Sequence, residues 1–214
     1  MHDAGYYAFG PTFDITRVED TEGRFINSSD TGLPDFTFDR KFFGGITGRF
    51  EFDNTNNFFI PKNGIRVSAK GNLLRNFSDA NSYTFANLTA DLRIYKALDK
   101  NENLIFATRI GGGRAIGDRT EFFNLPSLGG NGSLRGYSDT RFYGGSSFYQ
   151  NVDLRIKLFE SVNHILPYTL GIYGGFDYGR VWQEEEISDF WHYNYGGGIW
   201  FAPVNALNLS LIHI

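Results

Sequence analysis

The sequence predicts an all-β protein, part of an antiparallel transmembrane β-barrel, on three observations. Apolar and polar residues alternate with period two along nearly the whole length, and no segment shows the 3.6-residue period of a helix. Aromatic residues make up 17% of the 214 positions, beside 26 glycines, yet the mean hydropathy is negative. That composition suits a sheet wetted on one face and lipid-covered on the other. The connections are long at one end of the alternating segments and short at the other, as in outer-membrane barrels.

Taken in order, the first segment sets Tyr7, Phe9, Phe13 and Ile15 against Ala8, Gly10, Thr12 and Asp14. After a polar stretch over 19–35, Phe42, Ile46, Phe50 and Phe52 alternate with Thr47, Arg49 and Glu51. Asn, Pro and Gly turn signals follow over 53–64. Ile65, Val67, Ala69 and Leu73 then oppose Arg66, Ser68, Lys70 and Asn72, and Ala86, Leu88, Ala90, Leu92 and Ile94 oppose Asn87, Thr89, Asp91 and Arg93. Leu104, Phe106 and Ile110 open a fifth strand that runs into Gly111, Gly112 and Gly113. Beyond a long loop, Phe148, Val152, Leu154, Ile156 and Leu158 oppose Tyr149, Asn151, Asp153, Arg155 and Lys157. Leu170, Ile172, Phe176 and Tyr178 oppose Thr169, Gly171, Tyr173, Asp177 and Gly179. The last two segments carry Tyr193, Tyr195, Ile199 and Phe201, then Leu207, Leu209 and Leu211.

About nine strands result, many reaching the roughly 9–11 residues that cross a bilayer. The connections near 17–38, 114–146 and 183–191 are long, and those near 97–102, 161–166 and 203–206 are short. Two depart from the rule: 53–63 is long for its side and 77–82 is short for its side. A soluble sandwich or lipocalin-like barrel also alternates, and mid-strand charges such as Arg66, Lys70, Arg93, Asp153, Arg155 and Asp177 weigh against it.

Composition bounds the rest. The net charge of −4 offers no basic footprint for nucleic acid. With no cysteine, disulfides and thiolate metal sites are excluded. No run of 18 apolar residues forms a transmembrane helix. The N-terminus lacks a charged region followed by an apolar one, so no signal peptide is expected, and an exported chain of this kind would be a piece of something longer.

The longest irregular segment, 114–146, holds Gly129, Gly130, Gly132 and Gly136, which permit tight turns with positive φ. Leu134, Arg135, Gly136 and Tyr137 form its tip. Long loops in compact folds are usually functional or disordered, and this one is too rich in large residues for a linker.

The stretch from Leu128 through Gly129, Gly130, Leu134, Arg135, Gly136 and Tyr137 resembles the loop signature of the BamA/TamA outer-membrane assembly superfamily, the bacterial surface antigen barrels. Further motifs follow in the superfamily's order. Asn151-Val-Asp153 resembles its acidic strand, and Gly175-Phe176-Asp177-Tyr-Gly179-Arg-Val181-Trp182 resembles its F-D-x-G-x-V-W strand. Gly197-Gly-Ile-Trp200-Phe-Ala-Pro203 matches the next strand and its proline turn. Upstream, Asp53 with Pro61 and Gly64 resembles a conserved turn pattern of the superfamily.

The resemblance implies a sixteen-stranded barrel with residues 1–214 as one barrel-domain fragment and the 114–146 loop folded into the lumen. It implies that Arg135 is latched to Asp153 and Asp177, with Phe176, Gly179 and Trp182 as an inner-wall motif. The face pattern agrees independently: Asp153 and Asp177 both fall on polar faces, so both point into the lumen when the apolar faces meet lipid. The implied function is assembly, insertion or translocation of proteins at the bacterial outer membrane, without enzymatic chemistry or cofactor. Partners would be outer-membrane lipid, unfolded outer-membrane protein clients and assembly lipoproteins. The alternatives are a barrel that anchors or secretes an N-terminal patatin-like or phosphoesterase domain, and a two-partner secretion pore. The chain ends without the superfamily's final strand and lacks its periplasmic POTRA repeats, which reads as a central-to-C-terminal piece.

Other chemistries fit less well. The loop glycines have neither dinucleotide nor P-loop spacing. His2, His164, His192 and His213 are dispersed, so no metal site is expected. Asp153 and Asp177 could be a glycosidase pair, but a nearby arginine keeps both ionised, which is wrong for a general acid. Ser133 and Ser138 lack a hydrolase motif. Glu184, Glu185, Glu186 and Asp189 read as a solvated acidic loop, with surface cation binding second. The tryptophans and tyrosines suit interfacial girdles.

Overall fold

The computed structural model describes residues 4–19, 38–78, 82–117, 119–162, 167–183, 190–203 and 209–213. Among the described residues, eleven strands run in chain order: β1 (Ala4–Thr16), β2 (Lys41–Asp53), β3 (Gly64–Asn76), β4 (Thr84–Ala97), β5 (Leu104–Ile116), β6 (Ser127–Leu128), β7 (Phe142–Tyr143), β8 (Ser146–Ser161), β9 (Tyr168–Trp182), β10 (His192–Pro203) and β11 (Leu209–His213). Nine of them make one antiparallel sheet in the order β1-β2-β3-β4-β5-β8-β9-β10-β11, while β6 and β7 pair inside the loop. The sheet is not closed: β1 and β11 stand at its two ends. A 13-residue strand such as β2 or β3 extends about 40 Å at ~3.3 Å per residue, enough to cross a ~30 Å hydrocarbon core with tilt.

Pleating puts alternate residues on opposite faces, and the register aligns like with like. Tyr7 faces Phe50, Phe50 faces Ala69, and Ala69 faces Ala90. Ile156 faces Ile172, which faces Ile199. Tyr7, Phe9, Phe13, Phe50, Leu88, Leu154, Phe176, Tyr195 and Ile199 are all exposed on that apolar face. An apolar face this broad would not stay in water. The other face carries the strand charges Arg49, Glu51, Arg66, Lys70, Asp91, Arg93, Arg109, Asp153 and Asp177 by the same registers.

One expectation about the connections is corrected, and one long connection gains a shape. Gly111, Gly112 and Gly113 do not lead out of β5; the strand continues through them to Ile116. The 53–63 connection, long for its side, is a compact turn stapled by asparagines. Asn56 Oδ1 accepts the amides of Lys62 and Asn63 at 2.9 and 3.0 Å, and Asn57 Oδ1 accepts those of Phe59 and Ile60 at 2.9 Å each. Most of the 17–38 segment and residues 184–189, including the acidic run Glu184, Glu185, Glu186 and Asp189, lie outside the described residues.

Two clusters of buried apolar residues form where the loop between β5 and β8 meets the charged face. One cluster joins Phe43, Leu74 and Phe85 with Tyr83 and the loop's Phe123. The other joins the loop's Leu128 and Leu134 with Tyr149, packed by Tyr137, Phe142 and Val181. A single sheet with lipid on one side has no core of its own, so the loop supplies one.

Candidate functional site

The loop tip is shaped by backbone conformations that side chains resist. Gly129, Gly130 and Gly136 have φ of 135°, 66° and 89°, and a Cβ on Gly129 would meet the Ser138 carbonyl oxygen at 2.1 Å. Gly132 departs from the expectation, since a Cβ there would meet nothing within 4 Å. Ser133 closes the turn: its Oγ accepts the Gly129 amide at 2.8 Å and donates to the Gly129 carbonyl at 3.2 Å. That hydroxyl is therefore used in shaping the loop.

Below the tip, Leu134 is fully buried between Leu128 and Tyr149, which aims the next residue, Arg135, at the wall. Asp177 on β9 accepts three kinds of hydrogen bond from it: the backbone amide at 3.0 Å, Nε at 2.9 Å and a terminal guanidinium nitrogen at 2.5 Å. The same terminal nitrogen lies 2.8 Å from Asp153 Oδ1 on β8. Asp153 Oδ2 is held by Arg155 at 3.1 Å. Asp177 is 1% exposed, Asp153 13% and Arg135 19%. Hydrogen bonding to the Asp177 carboxylate and the charge of Asp153 raise the Arg135 pKa further, outweighing the desolvation that opposes them. A planar guanidinium makes such bidentate contact and a lysine cannot.

The acids are diagonal rather than directly opposed: Asp177 faces Asn151 and Asp153 faces Gly175. Asn151 Nδ2 donates to the Ser133 carbonyl at 2.5 Å, and Asn194 on β10 donates to the Arg135 carbonyl. Tyr137 completes the contact by donating to the Tyr193 carbonyl at 3.1 Å. Its ring meets Phe142 edge-on at 5.1 Å, and Phe142 stacks on His192.

The third predicted group is divided between the faces. Gly179 lies on the loop side, where a Cβ would approach Tyr149 and Leu128 at 3.1 and 3.2 Å. Phe176 and Trp182 do not line the inner wall; both are exposed on the apolar face. A motif contiguous in sequence is split by the pleat, because residues an odd number of positions apart face opposite ways. Phe176 stacks with Tyr193, and Trp182 meets Trp191 edge-on at 6.2 Å, as in an interfacial aromatic girdle.

Sequence reasoning missed a second attachment. Glu121, at the root of the loop, accepts from Lys41 Nζ and from the Tyr83 hydroxyl, each at 2.8 Å. Lys41 is 1% exposed and Glu121 8%. The signal was a lysine opening an apolar strand, which alone does not identify its partner 80 residues away. Asn194 was also unmarked, and Gly175 was read only as part of the strand motif. Among the described residues, no group of three or more histidines and acids could hold a metal ion.

Comparison with known proteins gives the geometry a family. The family model described as haemolysin secretion/activation protein ShlB/FhaC/HecB matches residues 62–199, a span that includes β3 to β9, most of β10 and the whole loop. No curated protein matches. Among solved structures, BamA from Haemophilus ducreyi lacking POTRA domains 1–3 superposes with a TM-score of 0.67 at 17% identity over 99% of this chain. This chain covers 47% of that one, so it spans about half its length. The resemblance to the BamA superfamily read from the motifs thus holds in both sequence profile and fold. The chain belongs to the ShlB/FhaC/HecB family of haemolysin secretion/activation proteins, and its sheet is β-barrel wall of the bacterial outer membrane.

Proposed function

We propose that this chain is part of a barrel that carries a partner polypeptide across the outer membrane, with Arg135 latching the loop inside the lumen through Asp153 and Asp177. Outer-membrane protein assembly or secretion is the coarser function of the family and its superfamily; export of a partner is the finer reading. The observation that supports it is the loop held against a charged wall by Arg135, inside the span that matches a secretion/activation family. The work is non-covalent: the wall binds, the loop positions, and no bond is made or broken. The full barrel of this reading has sixteen strands, of which this chain supplies the central and later ones.

Insertion of outer-membrane proteins by an exposed strand edge is the second reading. It is favoured by the fold likeness to BamA, but at 17% identity that likeness shows the fold alone. Deleting the gene distinguishes them. Under the export reading, one or a few polypeptides vanish from the medium while the outer-membrane protein profile is unchanged. Under the assembly reading, folded outer-membrane proteins fall broadly. In the export case, complementation with Arg135→Ala restores less export than wild type; full restoration would overturn the latch.

A further inference from the structure

Three arginines stand in one row across the inner face. Arg66 on β3 faces Arg93 on β4, which in turn faces Arg109 on β5. Like charges directly opposed on neighbouring strands repel, so each calls for a counter-charge. Arg66 has its own in Asp53, whose Oδ2 accepts from Nε at 2.7 Å. Arg93 and Arg109 share a single carboxylate, that of Asp91. Arg93 Nε donates to Asp91 Oδ1 at 2.8 Å, and Arg109 Nε donates to Oδ2. The Tyr149 hydroxyl also donates to Oδ2, at 2.7 Å. One negative charge thus serves two cations and a phenol.

That leaves donors over. A guanidinium carries five N–H groups, and Arg93 and Arg109 each bond through Nε; among the described residues their terminal nitrogens have no hydrogen-bond partner. Beside them lies a cavity of about 200 Å³, lined by Arg93 from β4, Arg109 from β5, Arg155 from β8 and Arg135 from the loop. The acid in its lining is Asp153, with Oδ1 taken by Arg135 and Oδ2 by Arg155. Counting Asp91 and Asp177 as well, four cations meet three acids, and one positive charge is left unmatched. All four arginines are partly buried, where salt screens a charge less than at an open surface.

The volume lies below the roughly 300–1,000 Å³ of sites for drug-sized ligands, so the occupant is small. Donors that converge from four elements suit a tetrahedral oxyanion. Arginine forks match phosphate oxygens, whereas a planar carboxylate engages one or two forks and leaves the others idle.

We propose that this cavity binds a small tetrahedral oxyanion of the phosphate type, held by Arg93, Arg109, Arg135 and Arg155. The site is the same under either reading of the function, because it depends on the charges of the wall and not on the client. With Arg135 among its ligands, the anion joins the loop tip to arginines of β4 and β5, beyond the latch acids on β8 and β9.

The test uses the full-length protein in a phosphate-free detergent at fixed ionic strength, with inorganic phosphate as the probe. Equilibrium dialysis with radiolabelled phosphate should show saturable uptake of one anion per chain, with acetate competing at least tenfold less well. Arg93→Gln with Arg109→Gln should weaken uptake at least tenfold. Because those arginines also steady Asp91, Ala107→Phe is the second variant: Ala107 lines the cavity, and the added ring fills it with every charge in place. That variant, with heat-modifiable gel mobility unchanged, should also bind at least tenfold more weakly. Uptake that does not saturate, or that folded Ala107→Phe retains in full, overturns the proposal. So does acetate that competes as well as phosphate itself. In the wild type, saturating phosphate should slow proteolysis of the loop at least threefold. Saturable uptake with the loop cut at an unchanged rate places the anion away from Arg135 and overturns the four-arginine site.

Discussion

Gly175 lies directly across the β8–β9 ladder from Asp153, and the space its side chain would fill is occupied by the Arg135 guanidinium. A Cβ at Gly175 would stand 2.6 Å from Asp153 Oδ1 and 2.9 Å from the Arg135 nitrogen that bridges both acids. The ion cluster thus depends on a residue with no charge. The glycine serves as the floor beneath the guanidinium.

Gly175→Ala is therefore expected to displace Arg135 from Asp153 while sparing most contacts to Asp177. Limited proteolysis should cut the loop several-fold faster than in wild type, with the barrel still heat-modifiable. A proteolysis rate equal to wild type would show that the guanidinium can move aside at no cost.

The two acids should differ in weight. Asp177 is nearly fully buried and takes the backbone amide as well as the guanidinium, so Asp177→Asn is expected to cost about 3–5 kcal/mol, as for breaking a buried pair. Asp153 holds Arg135 through one oxygen and shares itself with Arg155. Asp153→Asn should cost about 1.5–3 kcal/mol, the range of a charged hydrogen bond. Urea unfolding in detergent, followed by tryptophan fluorescence, measures the order; equal losses would contradict it.

At the loop root, Glu121→Gln removes the carboxylate that lies 2.8 Å from the buried Lys41 ammonium. The expected loss is about 3–5 kcal/mol, appearing as opening of residues 117–125 and not as unfolding of the sheet. Hydrogen exchange localised to that segment checks it. Lys41→Met with Glu121→Leu should recover most of the loss, since an apolar pair of similar size needs no desolvation.

Asp99, in the turn between β4 and β5, gives a pH dependence with a defined sign. The Leu104 amide donates to Asp99 Oδ1 at 2.7 Å, and this bond, with other turn amides, lowers the carboxyl pKa against a small opposing desolvation. A lowered folded pKa means the contribution is present above the ordinary carboxylate value of about 3.9 and is lost as pH falls through the folded value. Carboxylate shifts by NMR of the labelled protein should show Asp99 titrating below the ordinary carboxylate value. Asp99→Asn should remove the acid-side fraying of the turn.

Much of the wall was legible in advance. Period-two alternation placed Asp153 and Asp177 on one face and Ile156 and Ile172 on the other, because the pleat follows from local backbone geometry alone. Strand ends were less legible: β5 runs on through three glycines because β4 and β8 continue to pair with it, a reason outside the segment itself. Phe176 and Trp182 were read as inner-wall residues from a contiguous motif, although the same alternation puts both on the lipid side.

By itself the sequence determined the fold class, the faces of the strands and the residue types at the loop tip, since each depends on near neighbours in the chain. Tertiary structure alone decided which partners meet. Arg135 reaches Asp177 across 42 positions and Lys41 reaches Glu121 across 80, distances that strand register and loop path bridge and no local periodicity encodes.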